Sequence, residues 1–396
     1  MDALDPSRPQ SAGGLARNRL PARIERCVGR RRGTRPGPTL LVVGAIHGNE
    51  PAGVLAAIRL LERLEADGVE LRGELVCLAG NLRALRLGRR YVDRDLNRLW
   101  TEASLAALPA RLAGDPDAED HEQAELRDAI EHALREARGP VYALDLHTTS
   151  AAGFAFALYG DTLRQRSFAK HFPLPAILGL EEQVDGVLVE WLGRLGATTL
   201  CIEAGQHDDP VSVDNLVACL TVALAAAGLV EPERLPGHAA ALAHLEAGRG
   251  GLPRVMEVLH RHPVSPSDGF VMEPGFANIA RVRAGQLLAR TRDGEIRAPR
   301  DGLLFLPLYQ AQGSDGFFLG REVGRWRLRA SKWLRRAGLD RTLPWLPGVR
   351  RTGRGDALAL SPRAARIYPQ ELFTTFGYRR RRERPGHIEL SRRPAG

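Results

Sequence analysis

His47 and Glu50 stand three residues apart in LLVVGAIHGNEPAG (40–53), at the mouth of an apolar run. His147 closes a second apolar run, VYALDLH (141–147), and Glu203 lies in a third, TTLCIEAG (198–205). Imidazoles and carboxylates are costly to bury unless they are paired, hydrogen-bonded or bound to a metal. Two His and one Glu, with a fourth position left for water, form a recurrent ligand set of catalytic zinc; structural zinc sites usually close with four protein ligands. His47, Glu50 and His147 therefore point to metal-assisted chemistry. Asp145, two residues before His147, falls on the same face of an extended strand. It either orients an imidazole from behind or is a strand-end acid. Glu203 is the candidate general base, able to take a proton from an activated water and return it to a leaving amine. His207, four residues later, is a further candidate to line the site. RRYVDRDLNRLW (89–100) gathers Arg90, Arg94, Asn97 and Arg98 with Asp93 and Asp95. Arginine forks suit a carboxylate or an oxyanion; the same residues could form a solvated loop of local salt bridges.

These side chains need elements that bring them together. TLLVVGAI (39–46), GELVCLAG (73–80), VYALDLH, GFAFALYG (153–160) and TTLCIEAG read as strands. PAGVLAAIRLLERLEADG (51–68), EQAELRDAIEHALREA (122–137) and VDNLVACLTVALAAAG (213–228) read as helices. The alternation predicts an α/β fold, a mixed central sheet flanked by helices. In such sheets ligands collect at the carboxyl ends of strands, where the His and Glu residues stand. After Pro232 the texture changes. Residues 268–309 carry short alternating runs split by Gly, Pro and Asp, an all-β pattern predicting a small barrel or sandwich. The expected organisation is a flexible tail (1–20), a catalytic domain (21–232), a smaller β-rich domain shaping the cleft (233–320) and an arginine-rich extension (321–396). No internal repeat is visible.

Composition narrows the classes. Four cysteines, Cys27, Cys77, Cys201 and Cys219, lie far apart without a CxxC pair, which argues against a disulfide framework or a thiolate zinc finger. The first 20 residues lack an apolar core of the secretory type. The longest apolar stretch, 216–230, is too short to span a bilayer and predicts a buried helix. The expected compartment is the cytoplasm. The formal charge of +9 is uneven: residues 321–396 hold nineteen Arg, one Lys and six acids, a balance of +14, so the first 320 residues carry −5. Lys170 and Lys332 are the only lysines in the chain, so arginine richness also reflects a compositional bias.

GAIHGNE, RYVDRDLNR, LDLHTT and IEAGQH, in that order, resemble the motifs of the succinylglutamate desuccinylase/aspartoacylase family, relatives of the zinc carboxypeptidases. The resemblance spans roughly residues 39–320. It implies one Zn2+ per chain on His47, Glu50 and His147, with Glu203 activating water. It further implies that Arg90 polarises the scissile carbonyl, that Asn97 and Arg98 grip the carboxylate of the amino acid, and that Asp95 supports their loop. The implied reaction is hydrolysis of a small, anionic N-acyl amino acid. A second arginine that would read an acidic side chain is not fixed by the motifs; Arg164, Arg166, Arg254 and Arg261 are candidates, and Tyr309 in LPLYQ is one for the family's tyrosine. The alternatives are a metallocarboxypeptidase acting on peptides, or a protein binding nucleic acid or an anionic membrane through the basic tail, where GYRRRRERPGH (377–387) has suitable charge. The run 358–376 carries enough apolar residues to be partly folded, and the tail could equally serve as an oligomer contact.

Overall fold

A strand covered by helices on both faces must be apolar at every position rather than at alternate ones. Residues 40–43, Leu-Leu-Val-Val, meet that demand, and all four are fully buried. In the computed structural model, which describes residues 20–352 and 357–392, they lie in strand β2 (Arg35–Gly44). The predicted flexible tail, apart from Leu20, lies outside the described residues. Leu40 and Val42 face one apolar cluster, shared with helices α1 (Ala52–Ala66), α7 (Pro210–Ala226) and α8 (His238–Arg249). Leu41 and Val43 face another, shared with α4 (Ala118–Arg135) and α6 (Leu188–Arg194). Helix α7 contains most of the long apolar stretch and is buried along its length, with Asp209 capping its first turn and Pro210 opening it. Among the described residues no helix is long and apolar enough to cross a membrane.

The central sheet has eleven strands. Those of the first two thirds are β1 (Cys27–Arg32), β2, β3 (Arg72–Ala79), β4 (Val141–Thr149), β5 (Phe156–Tyr159), β6 (Ala176–Leu178) and β7 (Thr198–Gln206). Strands β3, β2, β4 and β7 run parallel in that spatial order, and β5 pairs antiparallel to β7. The fold is thus the predicted α/β arrangement with a mixed sheet. The predicted strand 39–46 stops at Gly44, because Ala45 takes the left-handed conformation (φ 54°) and turns the chain out of the sheet.

The β-rich segment continues this sheet instead of closing on itself. Strands β8 (Val255–Pro263), β14 (Asp315–Glu322), β13 (Gly302–Phe305) and β10 (Ile279–Val282) extend the edge beyond β6. Strands β9 (Val271–Met272), β11 (Leu287–Thr291) and β12 (Gly294–Arg297) form a separate three-stranded sheet. Met272, Leu288 and Ala289 of this sheet pack on Val282, Leu304 and Phe317 of the larger one. Alternation in short runs fits both outcomes, since it records one buried face per strand and not the strand's partners.

The arginine-rich extension is folded. It comprises helices α9 (Arg325–Arg336), α10 (Pro362–Ile367) and α11 (Gln370–Thr375), and a four-stranded sheet ordered β15 (Val349–Thr352), β16 (Ala357–Leu360), β18 (His387–Ser391), β17 (Arg380–Arg384). Its own core gathers Leu358, Leu360, Phe373, Tyr378 and Leu390. Arg379, from the tetra-arginine run, is buried and bridges Asp161 (2.7 Å) and Glu257 (2.9 Å) of the preceding part of the chain.

Candidate active site

Three adjacent parallel strands deliver the central residues. The register pairs Gly44 with Leu146, and His147 with Glu203, so the ends of β2, β4 and β7 lie side by side. Beyond Ala45 the chain forms a turn closed by Glu50 N–H donating to the His47 carbonyl (3.1 Å). Gly48 N–H donates to the Arg90 carbonyl (3.1 Å), tying that turn to the arginine segment. A Cβ on Gly48 would fall 2.1 Å from the backbone of Ala84, so only glycine lets the turn rest on helix α2 (Leu82–Leu87).

His47, Glu50 and His147 each offer a donor atom within 4.8 Å of the others, and all three are buried. The Nδ1 of His47 lies 2.9 Å from Glu50 Oε1, and the Nδ1 of His147 lies 3.1 Å from Glu50 Oε2. The outward nitrogens meet carboxylates: His47 Nε2 sits 3.2 Å from Asp95 Oδ1, and His147 Nε2 sits 3.0 Å from Asp145 Oδ2. For His47 this is the arrangement a metal site requires, the ring held from behind by an acceptor while its other nitrogen faces the donor cluster; behind His147, Asp145 stands at ion-pair distance, its oxygens outside hydrogen-bond geometry among the described residues. Of the two readings of Asp145, the orienting one matches its position.

The electrostatics agree. Burial works against charge here, yet mutual attraction prevails. His47 and His147 hold the Glu50 carboxyl well below the usual range, and Asp145 and Glu50 raise His147 well above the usual imidazole range. Donors that bind a proton so strongly offer the same electron pairs to a cation. Glu203 behaves differently. Burial pushes its carboxyl up to about 8, with Glu50 and Asp145 adding to the rise against His147 and Arg90. Its Oε2 is buried and has no hydrogen-bond partner among the described residues.

The arginine segment folds over the cluster. Arg90 reaches Asp95 Oδ2 (3.2 Å) and Glu50 Oε1 (3.5 Å). Asp95 also accepts from the Asn97 N–H (2.9 Å), so it braces both the loop and His47. Asn97 Oδ1 accepts from the Leu188 N–H (2.8 Å) at the start of α6, leaving its Nδ2 toward His147 (3.5 Å to Nε2). Arg98 donates to Asp315 Oδ2 (2.8 Å), and Arg261 pairs with the same carboxylate. His47, Glu50, Arg90, Asn97, Arg98, His147 and Glu203 therefore line one cleft of about 140 Å3.

Other residues are placed differently. Arg94 turns away to Asp120 (2.7 Å), and Asp93 caps the Ala118 N–H (2.9 Å). Tyr309 does not line the cleft; its hydroxyl donates to the Glu273 carbonyl (2.7 Å), and Gln310 beside it faces the cleft instead. None of Arg164, Arg166, Arg254 and Arg261 lines it either. His207 stands at the edge, 2.8 Å from Thr148 Oγ1 and 3.1 Å from Gln310 Oε1.

Sequence reasoning misses Thr148, whose N–H donates to Glu50 Oε2 (3.0 Å), although it stands inside the LDLHTT motif. It also misses Asp315, which carries no local signal, and Gly186. Gly186 has φ +75°, and a Cβ there would fall 2.2 Å from the Arg98 carbonyl oxygen. Its own carbonyl accepts from the Trp100 N–H (3.1 Å), clamping the loop before α6 onto the Arg98–Trp100 backbone. Gly186→Ala should cost about 1–2 kcal/mol from the left-handed conformation alone, and more if the clash is not relieved. In denaturant unfolding and kinetics it should lower stability and raise KM; an unchanged KM would show that the clamp does not position Asn97 and Arg98.

Residues 36–227 match the model of the succinylglutamate desuccinylase/aspartoacylase catalytic domain. A succinylglutamate desuccinylase from Burkholderia thailandensis is 28% identical over 277 residues, covering 67% of this chain and 73% of the relative. A succinylglutamate desuccinylase/aspartoacylase structure from Rhodobacter sphaeroides superposes with a TM-score of 0.55 at 20% identity, covering 74% of this chain and 88% of the other. An aspartoacylase family protein from Mesorhizobium loti gives 0.51 at 21% identity, with coverages of 75% and 88%. These structural likenesses establish a shared zinc-carboxypeptidase-like fold. The sequence matches carry the family likeness: residues 36–227, the segment that holds the site, match the catalytic domain of the succinylglutamate desuccinylase/aspartoacylase family.

Proposed function

We propose that this chain is a zinc-dependent amidohydrolase that cleaves N-acyl amino acids bearing one carboxylate and an otherwise apolar frame. The observation carrying the reading is the facing set of His47, Glu50 and His147, each imidazole with a carboxylate behind it, beside a buried Glu203 with one oxygen unpartnered among the described residues. Zinc held on those three residues would act as a Lewis acid and bring the pKa of a bound water toward about 7. Glu203 would take the proton from the attacking water and deliver it to the departing amine nitrogen. Arg90 would donate to the carbonyl oxygen as charge develops on it, a contribution of about 3 kcal/mol for a donor of this type. Asn97 Nδ2 and the Arg98 guanidinium would hold the carboxylate.

The lining argues for the substrate class. Five carboxylates, Glu50, Asp145, Glu181, Glu203 and Asp315, face the cleft against two guanidiniums, Arg90 and Arg98. With a dication present the positive charges number four against five acids, so no surplus is left to hold a second substrate carboxylate. The far wall is apolar, formed by Leu158, Val184, Val187, Val189, Leu306 and Phe318. A second carboxylate pressed on that wall would be buried without a partner. Purified protein should hold one zinc per chain and lose turnover on chelation. Its kcat/KM should be at least tenfold higher for N-acetyl-leucine or N-acetyl-phenylalanine than for N-succinylglutamate. The reverse order would overturn the substrate class, and turnover insensitive to complete zinc removal would overturn the metal reading.

A further inference from the structure

The tryptophans are divided sharply along the chain. Trp100 and Trp191 are buried and stack at 4.8 Å between ring centroids. The other three, Trp326 (74% exposed), Trp333 (66%) and Trp345 (81%), lie in the extension. Helix α9, RWRLRASKWLRR, contains five Arg, one Lys and no acid. Its exposed positions are 325, 326, 329, 332, 333 and 336, one continuous face at helical spacing. That face reads Arg325, Trp326, Arg329, Lys332, Trp333 and Arg336. The two indoles stand two turns apart, about 10 Å along the axis, with cations between and beyond them.

The opposite face of α9 holds the helix to the body. Ser331 Oγ donates to the Thr375 carbonyl (2.6 Å), Arg335 to the Asp161 carbonyl (2.9 Å), and Arg327 to Glu257 Oε1 (3.3 Å). The two faces therefore use their arginines differently. On the exposed face, none of Arg325, Arg329, Lys332 and Arg336 has an ion-pair partner among the described residues. Trp345 ends the short 3-10 helix Leu339–Trp345, which packs beside α9. Exposed aromatic surface of this extent, framed by unpaired cations, marks an interaction site.

We infer that this face docks on the surface of an anionic lipid bilayer. Indoles concentrate at the headgroup level of membranes, and basic residues next to them are drawn to anionic lipid. A helix that presents both along one exposed face can lie flat on such a surface. Single-stranded nucleic acid is usually bound in a basic groove with aromatic stacking platforms, whereas Trp326 and Trp333 are largely exposed to solvent on one helix face. The inference is independent of the hydrolytic reading, because no residue of the face lines the cleft.

The test uses the full chain with vesicles of phosphatidylcholine, alone or mixed with phosphatidylglycerol. Co-sedimentation should be strong with the anionic vesicles and weak with the neutral ones, and it should fall as salt rises. Tryptophan emission should shift to the blue on binding. Trp326→Ala/Trp333→Ala and, separately, Arg329→Glu/Lys332→Glu should each weaken binding at least tenfold, with hydrolysis of the soluble substrate unchanged as the check on folding. The inference is overturned if anionic vesicles are not bound, or if both variants bind them as the parent does. Binding of oligothymidylate without vesicles, or a concentration-dependent dimer abolished by the same substitutions, would reassign the face to nucleic acid or to a second copy of the chain.

Discussion

Glu203→Gln is expected to leave the metal content at one ion per chain and to lower kcat about 10³-fold, within the range general acid–base catalysis supplies. The substitution is nearly isosteric and keeps a polar group at the site. It changes one property, since an amide can neither accept the proton of an attacking water nor pass one to the amine. Glu203 is suited to that exchange. The β4–β7 register sets it beside His147, so it belongs to the metal centre by backbone geometry. Its Oε2 has no competing hydrogen bond among the described residues, and burial raises its proton affinity above that of an exposed carboxylate. Glu50 has the opposite character, since both of its oxygens are engaged by imidazoles and its carboxyl is held in the charged form. Glu50→Gln should therefore lose the metal together with activity. Elemental analysis of the two variants separates the roles. Full activity in Glu203→Gln, or loss of its metal, would remove it as the base.

Much of this centre was legible from local pattern. A continuous apolar run ending in a His is legible because a doubly covered strand leaves no polar position until it leaves the sheet. His47, His147 and Glu203 stand at or just beyond such run ends, and the parallel pairing of β2, β4 and β7 brings those ends together. The HxxE spacing is legible because a tight turn brings its residues into reach of one another. The reading fails where the partner is remote. Asp315 lies 217 residues from Arg98, and nothing near it in sequence indicates that it takes up this guanidinium. The apolar wall is assembled from β5, the loop before α6, α6 itself and the β-rich segment, so no window of sequence contains it. Tyr309 shows the limit of motif transfer, since one position decides whether a side chain faces the cleft, and Gln310 holds the inward one. The basic tail misleads for a related reason. Counting charge cannot separate an arginine that is solvated from one that is buried between two carboxylates.

Arg379 is that buried arginine, and its removal should have the largest effect on stability. Its side chain is 7% exposed and spans Asp161 and Glu257, which are themselves almost fully buried. Exposed ion pairs are worth about 0–1 kcal/mol, but deleting one partner of a buried pair leaves an uncompensated charge and costs about 3–5 kcal/mol. Arg379→Ala is therefore expected to destabilise by that larger amount in denaturant unfolding. Arg166 and Arg335 remain beside Asp161, and Arg321 and Arg327 beside Glu257, which keeps the loss from doubling. Arg379→Lys keeps the charge but not the fork that reaches both acids, so its loss should be smaller. The pH dependence supplies an independent check. Burial would raise both carboxyls, yet the surrounding guanidiniums, Arg379 foremost, hold both below the usual range. A carboxylate with a depressed folded-state pKa adds stability that is present above the unfolded value, about 4, and is lost as pH falls through the folded one. The parent should thus lose stability progressively below about pH 4. In Arg379→Ala the folded values rise toward or past the unfolded ones, so stability should fall less steeply with acid even though it starts lower. A variant as stable as the parent at pH 7, or one that keeps the parent's full acid dependence, would show that this arginine does not lock the extension to the rest of the chain.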